Sequence, residues 1–193
     1  MLVILQLNFK FCMKTIFLRD KNFDLWIPFE EIDKDIERLA VEINKEEKDK
    51  KPIFLVVLNG SFVFAADLLK KLNIECEVEF IKVKSYEGMQ QSGNIQLELQ
   101  PDWNNIAGRK VIIVEDIVDT GKTLRYLYDL IKSKGVNEID VCTLFFKPEA
   151  YRDKLPLKWI GRKIDNRFIV GYGLDYDGLG RNLKDIYVFN ANK

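Results

Sequence analysis

Residues 111–123 read VIIVEDIVDTGKT, and no other stretch of the chain restricts the fold so tightly. Val111, Ile112, Ile113 and Val114 form an unbroken branched apolar run without alternation, the pattern of a strand buried on both faces of a parallel sheet. From Leu124 onward, Leu127, Tyr128 and Ile131 follow at helical spacing, so Thr123 or its neighbour starts an amphipathic helix that stops near Gly135. Between strand and helix lie the acidic pair Glu115 and Asp116, then Asp119, Thr120, Gly121, Lys122 and Thr123. The loop therefore joins the carboxyl end of a buried strand to a helix N-terminus, where open α/β sheets bind ligands.

Each residue type there has a chemical use. Free backbone N–H groups at 120–123 and the positive helix end suit a phosphate. Gly121 permits close approach, the hydroxyls of Thr120 and Thr123 donate further hydrogen bonds, and Lys122 adds charge. Glu115 and Asp116 suit a vicinal diol, or Mg²⁺ held partly through water, and Asp119 is placed as a general base. A solvated acidic loop with a threonine helix cap is the plain alternative, but it leaves the coincidence of buried strand, carboxylate pair and hydroxyl-glycine turn without a cause. The P-loop pattern is absent, because Asp116 stands where its first glycine belongs.

The chain has 193 residues, 47% of them hydrophobic, which suits one domain with an ample core. Lys+Arg and Asp+Glu are both 30, so no global field favours nucleic acid, and small-molecule partners are expected. Cys12, Cys76 and Cys142 are scattered and histidine is absent, which argues against zinc, a disulfide framework and a Ser-His-Asp triad. A reducing, cytoplasmic setting fits. The opening MLVILQLNFKFCM is too short and interrupted for a membrane span and lacks a signal-peptide pattern. Since Met13 begins a conventional-looking MKTIFLRD, residues 1–12 read as an N-terminal extension or an added strand.

Patterning predicts a helix over 28–44, a strand over 53–58, a turn at Asn59-Gly60-Ser61, a helix over 62–72 and a strand over 76–83. Residues 84–108 lose periodicity and read as a long surface excursion, expected to be a mobile lid. Further strands are predicted over 138–146, 168–172 and 185–190. Strands alternating with helices imply an α/β fold with a central parallel sheet flanked by helices and right-handed crossovers.

Several segments, in order, resemble the signatures of the hypoxanthine-guanine phosphoribosyltransferases: LNGSFVFAADLL from Leu58, VKSYEG from Val83, VEDIVDTGKTL from Val114, the lysine of FFKPEA at Lys147, and RFIVGYGLDYDGLGRNL from Arg167. The resemblance implies the type I phosphoribosyltransferase fold, one domain over 1–193 with a small hood from the terminal segments. It also implies transfer of the 5-phosphoribosyl group from 5-phosphoribosyl-1-pyrophosphate (PRPP) to a 6-oxopurine with Mg²⁺, and a homodimer or homotetramer. Glu115, Asp116, Asp119 and the turn Thr120, Gly121, Lys122, Thr123 would bind ribose and 5′-phosphate. Asn59 and Gly60 would form the pyrophosphate loop, commonly with a strained or cis peptide, together with Arg181. Ser85 and Tyr86 would belong to the lid; Lys147, Phe168, Ile169 and Val170 would bind the purine; Glu115, Asp116 and Asp175 would serve the metal. Asn59 departs from the pattern, since many relatives carry Lys or Arg there. Two rival readings remain: a xanthine or guanine preference, and a PRPP-sensing regulator that binds nucleic acid. Balanced charge and the retention of Asp119 and Lys147 weigh against the regulator.

Overall fold

The computed structural model describes residues 15–85 and 95–191. In chain order the elements are β1 (Thr15–Leu18), β2 (Lys21–Ile27), α1 (Phe29–Glu46), β3 (Ile53–Leu58), α2 (Phe62–Lys70), β4 (Glu77–Ser85), β5 (Ile95–Leu99), α3 (Trp103–Ile106), β6 (Lys110–Val118), α4 (Lys122–Ser133), β7 (Glu138–Phe146), β8 (Trp159–Lys163), β9 (Ile169–Val170) and β10 (Ile186–Asn190). The central sheet runs β5-β4-β3-β6-β7-β8. From β4 to β8 the pairings are parallel, and β5 closes one edge antiparallel to β4.

The unbroken apolar runs become the two middle strands. Ile53 to Val56 of β3 and Val111 to Val114 of β6 are wholly buried, as strands covered on both faces must be. Alternate residues feed opposite faces. Phe54, Val56, Ile112 and Val114 meet Ile36, Leu39, Ile43 of α1 and Phe64, Leu68 of α2. Leu55, Val111 and Ile113 meet Leu124, Leu127 and Ile131 of α4. Helix α1 begins after the extended Pro28, with Glu30 and Glu31 in its first turn and Lys45 in its last, matching the helix dipole at both ends. Its first residue is tied down from afar, since Phe29 N–H donates to Asp185 Oδ1 at 2.9 Å.

The structure corrects four expectations. The excursion over 84–108 is partly regular: the alternation of IQLEL makes β5, and α3 follows under an Asp102 cap. β9 and β10 do not extend the parallel sheet. They join β1 and β2 in a second, antiparallel sheet ordered β1-β2-β10-β9, which forms the hood from both ends of the described chain. The hairpin β1-β2 and the five-residue β8 were not anticipated: β1 and β8 are short, and β2 carries the polar Lys21, Asn22 and Asp24 in its first half. β6 runs past the acidic pair to Val118, with Ile117 and Val118 still paired to Phe145 and Phe146. Residues 1–12 and Tyr86 lie outside the described residues, so the expected extension and part of the lid are not described. Among the described residues no helix is long and apolar enough to cross a membrane.

Candidate active site

At the carboxyl ends of β3, β6 and β7 a cleft of about 640 Å³ opens between the central sheet and the hood. Nine residues singled out from the sequence line it: Asn59, Gly60, Asp116, Asp119, Lys147, Phe168, Ile169, Asp175 and Arg181. A smaller hollow beside it is lined by Glu115, Asp119 and the turn Thr120, Gly121, Lys122, Thr123. Val170 does not line the cleft; its side chain is fully buried in the hood. Ser85 ends β4, paired with Ile95.

The turn is held from behind. Gly121 caps α4 in the left-handed region at φ 85°, and a β-carbon there would stand 2.6 Å from Tyr151 Cε2, so glycine is required on both counts. Arg152 N–H donates to Thr120 O at 3.2 Å. Arg125, in the first turns of α4, grips Asp153 with Nε and Nη2 at 3.0 and 2.6 Å, and this holds the Asp153 carboxyl well below the usual range.

The acidic pair is a strained electrostatic arrangement. Burial first, then the neighbouring Asp116 charge, push Glu115 well above the ordinary carboxylate range, with a Ser61 hydrogen bond opposing. Burial pushes Asp116 up to about 6, against hydrogen bonds from backbone N–H groups and the nearby Arg181. Ile117 N–H donates to Asp116 Oδ1 at 2.8 Å, and Asp116 N–H donates to the buried Ser61 Oγ at 2.9 Å, which ties the turn after β3 to β6. Across the cleft, Arg181 Nη2 pairs with Asp175 Oδ1 at 2.6 Å while its Nη1 donates to Gly173 O at 2.7 Å. The Leu58–Asn59 peptide is cis, as the resemblance implied.

Among the described residues no three His, Cys, Asp or Glu side chains converge as a metal cage. Glu115, Asp116 and Asp175 are therefore not a closed ligand set. Asp116 and Asp175 face the main cleft, whereas Glu115 faces the smaller hollows. Two hard oxygen donors beside open space suit Mg²⁺, which takes one or two carboxylates and completes its octahedron with water and phosphate oxygens.

On the other wall, Lys147 Nζ donates to Asp119 Oδ2 at 2.8 Å. Phe168 is 46% exposed, with Tyr176 edge-on at 5.9 Å and Phe23 tilted at 6.2 Å behind it, so one face is left to the cleft.

The phosphoribosyl transferase domain model matches residues 28–177. A hypoxanthine-guanine phosphoribosyltransferase of Streptococcus pyogenes is 42% identical over 147 residues, 76% of this chain and 81% of its own length. The chain belongs to the hypoxanthine-guanine phosphoribosyltransferase family. The Lactococcus lactis member is 38% identical over 85% of this chain and 92% of its own length. A crystal structure of the Bacillus anthracis member superposes with a TM-score of 0.80 at 35% identity, covering 86% of this chain and 96% of that one. The protein shares their fold, with a mostly parallel central sheet. Sequence reasoning missed Lys82, Val83 and Lys84 of β4 and Glu98 of β5 as cleft residues. The only signal was the alternation in FIKVKS, which gives Lys82 and Lys84 one common face.

Proposed function

We propose that this enzyme transfers the 5-phosphoribosyl group of PRPP to N9 of hypoxanthine or guanine, giving IMP or GMP and pyrophosphate in purine salvage. The observation that carries the proposal is the cleft in which a buried lysine and a half-exposed aromatic ring stand opposite paired carboxylates and an arginine, beside a helix-opening phosphate turn. In this reading Thr120, Gly121, Lys122 and Thr123 anchor the 5′-phosphate at the N-terminus of α4. Glu115 and Asp116 accept hydrogen bonds from the ribose hydroxyls. Backbone N–H groups around Asn59 and Gly60 receive the pyrophosphate, and Arg181 adds a guanidinium fork. Phe168 stacks on the base, the backbone of Ile169 and Val170 reads its pyrimidine edge, and Lys147 donates to the 6-oxo oxygen. Asp119 takes or steers the N7 proton as the N9–C1′ bond forms and the C1′–O bond to pyrophosphate breaks.

Asp116 and Asp175 would hold Mg²⁺, with Glu115 reaching it through water or a ribose hydroxyl; the ion would neutralise the departing pyrophosphate. In this reading Ser85, at the end of β4, contributes to a lid that would close over the transition state and exclude water. Incubation with PRPP, Mg²⁺ and hypoxanthine, guanine, xanthine or adenine in turn, followed by nucleotide chromatography, tests the assignment. IMP and GMP are expected. XMP as the main product would shift the preference to xanthine, and tight RNA binding without any nucleotide formed would replace the enzyme by a PRPP-sensing regulator.

A further inference from the structure

Tyr172 is a large, buried, β-carbon-bearing residue at φ 47°, between Gly171 at φ 101° and Gly173 at φ 97°. Side chains rarely adopt this left-handed region, and a residue persists there only where its surroundings fix it. Three contacts do so here. Tyr172 N–H donates to Leu183 O at 2.7 Å, its ring lies against Phe29 at 6.1 Å, and its hydroxyl donates to Asp67 Oδ2 at 2.5 Å.

The hydroxyl contact crosses between two layers. Asp67 stands on α2, the helix that opens directly after the Asn59–Gly60 turn, whereas Tyr172 stands on the hood loop that carries Asp175 and Arg181 onward. Immediately after Tyr172, the α-carbon of Gly173 lies so close to Gly60 O that a β-carbon would overlap it, and Gly60 in turn lies against Asp116 Oδ2. Both backbone polar groups of Gly173 are taken by Arg181: its N–H donates to Arg181 O at 3.0 Å and its carbonyl accepts from Nη1 at 2.7 Å. The order of contacts is thus Asp67, Tyr172, Gly173, Gly60, Asp116, with Arg181 hung on the middle link.

We infer that Tyr172 and Asp67 are positioning residues for the pyrophosphate half of the cleft: their hydrogen bond clasps the hood loop to α2 and thereby sets Arg181 and Asp175 against the Asn59–Gly60 turn. Neither side chain lines the cleft. That chain of contacts stops at Asp116 on β6, whereas the 5′-phosphate turn beyond it is braced by α4 and the 151–153 segment. The clasp must therefore act on one half of the ligand and spare the other.

The inference rests on the proposed PRPP reading, and calorimetric titration of Mg²⁺-PRPP and, separately, IMP separates the two. Tyr172→Phe keeps the ring and removes only the donor. It is expected to weaken Mg²⁺-PRPP about tenfold, the scale of one hydrogen bond to a charged group, and to leave IMP within about twofold. Asp67→Ala should behave as Tyr172→Phe does, while Asp67→Asn, whose amide oxygen still accepts from the hydroxyl, should recover most of the PRPP affinity. Equal loss for both ligands, or unchanged PRPP binding in both Tyr172→Phe and Asp67→Ala, overturns the clasp. An unaltered chain that binds IMP but not Mg²⁺-PRPP overturns the reading beneath it and the clasp together.

Discussion

Lys147 Nζ and Asp119 Oδ2 stand 2.8 Å apart, the lysine almost wholly buried and the aspartate side chain 43% exposed to the cleft. The register of β6 against β7 causes this: Val118 lies opposite Phe146, so the next residue of each strand must meet the other, and Lys147 N–H donates to Val118 O at 3.0 Å. The two groups form one unit. In a 6-oxopurine the exocyclic oxygen and N7 share an edge, an acceptor beside the atom whose proton must be managed. A paired ammonium and carboxylate matches that edge.

Lys147→Gln is expected to raise KM for hypoxanthine and guanine far more than for PRPP, by about 1.5–3 kcal/mol, because a charged donor becomes a neutral amide and Asp119 loses its partner. The amide oxygen can accept from a 6-amino group, so discrimination against adenine should also fall. Steady-state kinetics with each substrate varied in turn checks this. Equal loss for base and PRPP, with a lowered melting temperature, would make Lys147 structural.

Asp119→Asn keeps an acceptor for Lys147 and leaves the phosphate turn intact. The expected result is a kcat about 10²- to 10⁴-fold lower with PRPP affinity little changed. If kcat holds, Asp119 is a loop-shaping residue and the general-base role is lost.

The acidic pair gives a pH signature. Asp116 is raised from 3.8 to about 6 in the folded protein and Glu115 is raised too, chiefly by burial. Their stabilising contribution is therefore complete below the unfolded carboxylate range and is lost as pH rises through about 6. Asp116→Asn should stabilise the metal-free protein at pH 7.5 by on the order of 1–3 kcal/mol, raising its melting temperature, and flatten the loss of stability between about pH 4 and 6. The same variant should lose Mg²⁺-dependent PRPP binding, and EDTA should abolish turnover of the unaltered enzyme. Differential scanning calorimetry with and without Mg²⁺ and PRPP reads the stability and binding changes, and a nucleotide-formation assay reads the effect of EDTA; a variant less stable than its parent at pH 7.5 would show that Asp116 carries no buried charge penalty.

Gly121→Ala forces a side chain into the left-handed region and against Tyr151. A loss of about 1–2 kcal/mol from the backbone alone is expected, together with weaker IMP binding, because the N–H groups at 120–123 must shift. Unaltered IMP affinity would mean that the brace from 151–153 yields.

Sequence and structure agree where chemistry is local. β3 and β7 were predicted with the bounds observed, Ile53–Leu58 and Glu138–Phe146: β3 is apolar throughout, and β7, although it opens with the polar Glu138 and Asp140, ends in the apolar pair Phe145 and Phe146. The strand expected over 168–172 shortens to the two-residue β9, whose place in the hood depends on β10 beside it. The same division holds in the site. The turn at Thr120–Gly121 was legible because its residues are contiguous. The partnerships of Lys147 with Asp119, Arg125 with Asp153 and Tyr172 with Asp67 span 28 to 105 positions and follow only from sheet order and helix placement.

The most direct test is the rate of pyrophosphate release from PRPP by the unaltered chain in Mg²⁺, with hypoxanthine, guanine and adenine compared as acceptors. A buried cation placed to meet the 6-oxo oxygen should favour hypoxanthine and guanine over adenine by about 10²-fold or more in kcat/KM. Equal release with adenine, or no release with any of the three, would contradict the assignment of this cleft to 6-oxopurine phosphoribosyl transfer.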